Sequence, residues 1–196
     1  MEHSYTTYFA EIYDEVMKNV PYNYWFRYLK DLLKYYQHQP ESLLELASGT
    51  SNMTLKLMNL QTINKITALD LSSAMISKAA EKLEDRINNS DQFTDFSVEK
   101  DKVLYQIQQK NKNLSLNFQA QNMTDFSFED KFDLIVSFFD SLNYLTDINQ
   151  LQNCFESAAA SLNNEGLFIF DMNSIGRINT IEEKSFVIEG DSYECF

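Results

Sequence analysis

The stretch Ser42-Leu43-Leu44-Glu45-Leu46-Ala47-Ser48-Gly49-Thr50-Ser51-Asn52-Met53-Thr54 decides the fold. It runs from a short apolar segment through one acid and a series of small residues into a helical pattern. Such a segment, bounded by small residues, reads as a buried strand. Ala47, Ser48, Gly49, Thr50 and Ser51 allow a tight turn that lets a ligand approach the main chain. The free N–H groups and dipole of the next helix favour a polar or anionic group there. In an open α/β sheet this position, the carboxyl end of a strand, is where a nucleotide-like ligand sits. A plain β-to-α turn of small residues has the same appearance, so the rest of the chain must decide.

Downstream, Ser51 to Leu60 reads as a helix and Lys65-Ile66-Thr67-Ala68-Leu69-Asp70 as a second strand, again ending in an acid. Ser72 or Ser73 suits the cap of a helix from Ala74 to about Asn88. Strand, small-residue turn, helix and acid-terminated strand make half of a doubly wound fold. Residues 89–113, rich in Asn, Asp, Gln and Lys, read as an inserted solvated excursion with one helix through Val98 to Gln109. Leu114 to Ala120 alternates as a third strand, and Phe132 to Phe138 is a buried fourth. Asp147 to Leu162 is helical, with Leu151, Phe155, Ala158, Ala159 and Leu162 on its core face. Asn163-Asn164-Glu165-Gly166 is expected to turn with Gly166 left-handed, and Gly166 to Asp171 to form a fifth strand. A hairpin is expected from Phe186 to Glu189 and Tyr193 to Phe196 around Gly190-Asp191.

Upstream, Thr6 to Asn19 places Tyr8, Phe9, Ile12, Tyr13 and Val16 at helical spacing. Pro21 interrupts, and Tyr22 to Tyr36 runs as a second aromatic helix with Trp25, Phe26, Leu29, Leu32 and Leu33. Such stripes are ordinarily core, yet two amphipathic helices ahead of the first strand can fold over its carboxyl end as a lid hinged near Pro21. The organisation expected is one domain: a helical lid over 1–39, a core over 40–174 and a partial antiparallel cap over 175–196.

The 196 residues suffice for a sheet flanked by helices, and 44% are apolar. With 29 acidic against 16 basic side chains the formal net charge is −13, and no basic run offers a nucleic-acid footprint. Cys154 and Cys195 lie too far apart for a disulfide framework or metal-ligand spacing, and His3 and His38 are isolated, so no metal site is expected. With no signal segment and no apolar run long enough to span a bilayer, a cytoplasmic location is expected.

Glu45 with its loop, Asp70, and the pair Asn122-Met123 all fall at the carboxyl ends of successive strands. A carboxylate after the second strand suits the two hydroxyls of a ribose. A side-chain amide with apolar walls suits an adenine ring. In this order the motifs resemble those of the class I S-adenosylmethionine-dependent methyltransferases, over nearly the whole chain. Glu45-Leu46-Ala47-Ser48-Gly49-Thr50-Ser51-Asn52 is similar to that family's first motif, and Asp70-Leu71-Ser72-Ser73-Ala74-Met75 to its second. Gln121-Asn122-Met123 falls where the family has an acid near the adenine amine. Phe132 to Ser137 with Phe138-Phe139-Asp140-Ser141-Leu142-Asn143-Tyr144 resembles its fourth strand and acceptor-side loop, and Leu162 to Asp171 its helix exit and fifth strand. Ile12-Tyr13-Asp14, Pro21-Tyr22 and Trp25 are similar to a small bacterial subgroup with aromatic lid helices.

The resemblance implies a Rossmann-like, doubly wound and mostly parallel sheet of order 3-2-1-4-5. It also implies S-adenosylmethionine as cofactor, with Asp70 on the ribose and Met75 against adenine. Tyr13, Trp25, Glu45, Ala47, Ser48, Gly49, Thr50, Leu71, Asn122, Met123, Phe138 and Phe139 would complete the cofactor site. Tyr13, Asn143 and Tyr144 are the candidates for orienting an acceptor, with Asp14 and Asp140 nearby. Three positions depart from the family: Ala47 and Ser51 stand where glycine is commonest, and Asn122 replaces an acid. The family's last two strands are expected to be absent.

Three functions follow for weighing. The first is methyl transfer to a small-molecule acceptor, without nucleic acid or membrane. The second is a module that holds the cofactor without turnover, or a truncated subunit needing a partner. The third, a nicotinamide dehydrogenase, fits poorly, because its glycine fingerprint would fall on Ala47, Gly49 and Asn52.

Overall fold

Leu43 and Leu44 point to opposite faces of one strand, and the fold is built on that alternation. The computed structural model describes residues 7–91, 93–99, 104–109, 112–178, 188–190 and 193–195. The strand, β1 (Ser42–Leu46), pairs in parallel with β2 (Lys65–Asp70) on one side and β6 (Phe132–Ser137) on the other. All three are near-continuous apolar runs, as strands covered on both faces require.

Among the described residues the sheet has seven strands, in the order β3-β4-β5-β2-β1-β6-β7. Here β3 is Phe93–Glu99, β4 Leu104–Gln109, β5 Lys112–Ala120 and β7 Leu162–Phe170. Its five parallel strands follow the expected 3-2-1-4-5 order, with β5 third and β7 fifth. Leu43, Ile66, Ala68, Leu134 and Val136 face α2 (Tyr22–Tyr35), α3 (Thr54–Leu57) and α4 (Ser73–Asn88). Leu44, Leu46, Leu69 and Ile135 face α5 (Ile148–Ser161), which supplies Cys154 and Ala158. Helix α1 (Thr7–Val16) lies beside α4, and a single turn, α6 (Ile175–Ile178), follows β7.

Several expectations need correction. Where a solvated excursion was expected over 89–113, with a helix through Val98 to Gln109, the described residues form two strands, Phe93–Glu99 and Leu104–Gln109. β3 and β4 pair antiparallel there and extend the sheet beyond β5. In β4, Tyr105 and Ile107 are buried while Gln106 and Gln108 are exposed. The polar half of that period-two strand hides its apolar half. The helix expected from Ser51 to Leu60 shrinks to the turn Thr54–Leu57. Ser51 has φ +63°, so no helix can begin before it. At the other end, the Asn59 side-chain amide donates to the Leu55 and Lys56 carbonyls.

The fifth strand, β7, begins at Leu162, and the left-handed residue within it is Glu165 (φ +65°), not Gly166. Gly166 is required by crowding: a Cβ there would lie 2.9 Å from Leu162 Cδ2 and 3.1 Å from the Phe132 carbonyl oxygen. Ala159, expected on the core face of α5, is exposed. The hairpin forms as β8 (Ile188–Gly190) against β9 (Tyr193–Cys195), apart from the main sheet. Phe186 and Phe196 lie outside the described residues.

Candidate functional site

The loop leaving β1 alternates in backbone hand. Ala47, Gly49 and Ser51 have φ of +53°, +55° and +63°, with Ser48 and Thr50 between them. Only glycine enters this region freely, so Ala47 and Ser51 each carry strain of about 1–2 kcal/mol. Surrounding bonds hold the shape. The Ser48 N–H donates to the Leu69 carbonyl (2.9 Å) and the Ser51 N–H to the Ser48 carbonyl (2.9 Å). The buried Ser48 and Ser51 hydroxyl oxygens have no protein partner.

Asp70 closes the loop from the end of β2. Its carboxylate accepts from the Gly49 N–H (2.8 Å) and the Ser72 N–H (2.9 Å). Burial nevertheless raises its pKa above the ordinary carboxylate value. Ser72 caps α4 by accepting from the Met75 N–H at 3.3 Å. Met75 is buried and Leu71 exposed.

Glu45, at the end of β1, is buried and bonds to Thr54 of α3, its carboxyl accepting the hydroxyl at 2.5 Å. Burial pushes its pKa up to about 8. Asn122 is exposed, and its side-chain oxygen accepts from the Thr124 N–H, a local turn. Met123 packs against the α5-side core.

Helices α1 and α2 stand over the loop. An added Cβ on Gly49 would meet the Tyr13 ring at 3.6 to 3.8 Å, which places that ring over the loop. Burial raises the Tyr13 pKa, reinforced by Tyr22, Asp70, Tyr144 and Asp14, so its hydroxyl stays protonated. Trp25 packs on Phe138 and Phe139 (ring centroids 6.1 and 5.8 Å), and Tyr22 meets Phe139 at 4.9 Å. These rings make an apolar wall beside the ends of β1 and β6.

After β6, Phe139 and Asp140 are both left-handed (φ +62° and +52°). A polar lattice ties this corner to the end of β7. The Asp140 N–H donates to Asp171 (2.9 Å), and the Asn173 amide donates to Asp140 (2.7 Å). Asn143 accepts from the Asn173 N–H (2.8 Å) and donates to the Asn173 carbonyl (3.3 Å). Both ends of the Asn143 amide are therefore committed to main chain, while Tyr144 is exposed beside them.

Sequence reasoning missed Lys82 and Asn173, and it gave Asn52 and Asp171 no role of their own within the motifs that contain them. Asp14 accepts from Thr50 (2.6 Å) and Asn52 (2.9 Å) and pairs with Lys82 at 2.5 Å. Burial opposes the charge on Asp14, but hydrogen bonds from Lys82, Thr50 and Asn52 prevail and hold its carboxyl below the ordinary value. One signal for Lys82 was available, since it lies on the helical stripe of Met75, Ala79 and Leu83, where a lysine is out of place. Among the described residues no group of side chains could hold a metal ion, and no helix is long and apolar enough to cross a membrane.

Residues 44–168 match a family model described as a methyltransferase domain. Two bacterial proteins named as candidate methyltransferases are similar. One, from Geobacillus sp. (strain WCH70), is 26% identical over 184 residues, covering 93% of this chain and 63% of that protein. The other, YqeM of Bacillus subtilis (strain 168), is 28% identical over 186 residues, covering 93% of this chain and 61% of that protein. The chain thus spans less than two thirds of the length of these curated relatives. A crystal structure of an S-adenosylmethionine-dependent methyltransferase from Clostridium acetobutylicum ATCC 824 is similar at TM-score 0.69 and 26% identity. It covers 94% of this chain and 64% of that one.

Proposed function

Because the chain belongs to the methyltransferase-domain family, we propose that the carboxyl ends of β1 and β2 hold S-adenosylmethionine and that the protein transfers a methyl group to a small-molecule acceptor. The observation that carries this reading is the pairing of Asp70 with the left-handed Gly49 turn at 2.8 Å. The residues fit the cofactor. A desolvated carboxylate at a strand end suits ribose hydroxyls, and the buried unpartnered Ser48 and Ser51 hydroxyls can serve a polar group at the loop. Ala47 and Ser51 keep the glycine-type backbone despite their side chains, so both substitutions preserve the loop's shape. Asp70 would take the ribose, Leu71, Met75, Asn122 and Met123 the adenine, and Ala47 to Thr50 with Tyr13 the methionyl part. Glu45 would act by supporting the loop through Thr54.

When bound, the cofactor supplies a methyl group already activated on a sulfonium, which leaves the protein to align the acceptor and keep the site dry. Trp25, Phe138, Phe139 and Tyr22 would exclude water from the acceptor side. Tyr13, protonated at neutral pH, would orient an acceptor as a hydrogen-bond donor rather than as a base. Tyr144 would meet the acceptor from the opposite rim. Asn143 would act by holding the Phe138–Tyr144 corner, since its amide is spent on Asn173. The net charge of −13 favours a small molecule over a nucleic acid.

Titration calorimetry with S-adenosylmethionine and S-adenosylhomocysteine tests the reading. Binding that falls by about two orders of magnitude in Asp70→Ala, the loss of two charge-assisted hydrogen bonds, supports it. Equal binding by Asp70→Ala would refute the assignment. Cofactor binding without turnover by this chain would assign it the cofactor-holding part alone.

A further inference from the structure

The apolar grip on α1 is slight. Of its described side chains only Ala10 is buried. A cleft of about 280 Å³ opens between α1 and the first turns of α4, lined by residues including Ala10, Glu11, Ser73 and Ser77. Polar bonds set the register instead. Lys82, on α4, reaches three acceptors at once: Asp14 (2.5 Å), Thr50 (3.0 Å) and Asn52 (2.8 Å). An ammonium has three donors, and each meets a different part of the joint. Asp14 in turn accepts from Thr50 and Asn52, closing the ring. The neighbouring residues are the ones that matter to the site. Tyr13 precedes Asp14 on α1, Gly49 precedes Thr50 on the loop, and the Tyr13 ring covers Gly49. Asn52 also donates to the Tyr22 hydroxyl at 3.2 Å, joining α2 to the same ring.

We propose that Lys82 is a positioning residue for the cofactor site: by joining Asp14 of α1 to Thr50 and Asn52 of the loop, it seats Tyr13 over Gly49. This rests on reading the loop as an S-adenosylmethionine site. Lys82 has no part in the chemistry and acts only through the docked fraction of α1. A cofactor that needs Tyr13 in place binds more weakly by the fraction of molecules in which α1 is displaced.

The test is a double-mutant cycle on S-adenosylhomocysteine affinity, with amide hydrogen exchange as a second readout. Lys82→Met should weaken binding about tenfold, a typical coupling between two sites. In a Tyr13→Ala background the same change should cost nothing beyond about twofold, because the residue it acts through is gone. Exchange should quicken in α1 and stay unchanged in α2. Asp14→Asn, which opens the joint from the other side, should do the same. Wild-type affinity in Lys82→Met, or losses that simply add, would overturn the proposal. If the unaltered protein binds no S-adenosylhomocysteine, the functional reading fails by itself. Exchange in Lys82→Met then decides the joint, and unchanged α1 protection overturns it.

Discussion

Helix α2 buries Leu29 completely and Leu33 almost so, in the same cluster as Leu43 and Leu57. Helix α1 buries only Ala10, leaves Phe9, Ile12, Tyr13 and Val16 half-buried, and is tied down through Asp14, Thr50, Asn52 and Lys82. The two helices are consecutive and both rich in aromatics, yet one is part of the core and the other is fastened to it. An apolar contact weakens only when the core opens. A ring of hydrogen bonds can open locally, so α1 is the element able to move while the sheet stays folded.

The largest effect should separate the helices by burial. Leu29→Ala should lower global stability in urea by about 3–4 kcal/mol, as a fully buried leucine does. Ile12→Ala on α1, half-buried, should cost about 1 kcal/mol. Equal costs for the two would erase the distinction.

Next comes pH, which should act on the two regions from opposite ends. Glu45 lies buried in the core against Thr54 of α3, with its pKa raised by burial to about 8. Below the ordinary carboxylate value both folded and unfolded states are protonated and nothing is lost. As pH rises toward 8 the unfolded chain ionises first, so stability falls by roughly 3 kcal/mol by pH 7. Glu45→Gln should keep that stability, and urea titrations of both proteins at pH 5 and pH 8 would measure it. A pH-independent difference between them would show that Glu45 is ionised when folded.

Asp14 has the opposite sign. Its folded pKa is lowered, so its contribution is present above the ordinary carboxylate value and lost as pH falls through the lower folded one. Being partly exposed, the joint is worth only about 1 kcal/mol. Acid should therefore reduce protection factors in α1 before those in α2, and Asp14→Asn should remove that difference. Simultaneous loss in both helices would mean that α1 opens only with the core.

The same contrast explains what could be read from the chain. β1, β2 and β6 were legible because a strand buried on both faces is apolar throughout. Asp70 was legible because it ends such a run. β4 was not, since Gln106 and Gln108 alternate with Tyr105 and Ile107 and make the segment look like a loop. Turn hand was legible as a run of small residues, but not residue by residue: Glu165 took the left-handed position expected of Gly166. The Lys82–Asp14 pair and the lattice of Asp140, Asn143, Asp171 and Asn173 join segments far apart in sequence. No local pattern encodes such pairs, because each exists only once the sheet has brought its loops together.

The smallest effect lies in the loop on which α1 rests. Ser51 is fully buried, left-handed, and carries a hydroxyl oxygen without a protein partner. Ser51→Gly relieves the backbone strain and removes the unpaired hydroxyl, while glycine adds freedom to the unfolded chain. Those terms leave a net stabilisation of about 0.5–1 kcal/mol. Gly49→Ala should do the reverse at a similar magnitude. Its Cβ would lie 3.6 Å from the Tyr13 ring, an ordinary contact, so the cost is backbone strain and α1 should stay docked. Urea titration with exchange in α1 measures both quantities. A destabilised Ser51→Gly would mean that the hydroxyl supports the loop. Faster α1 exchange in Gly49→Ala would mean that Tyr13 rests on Gly49 too closely to accept a methyl group, and the contact between helix and loop would then be steric as well as polar.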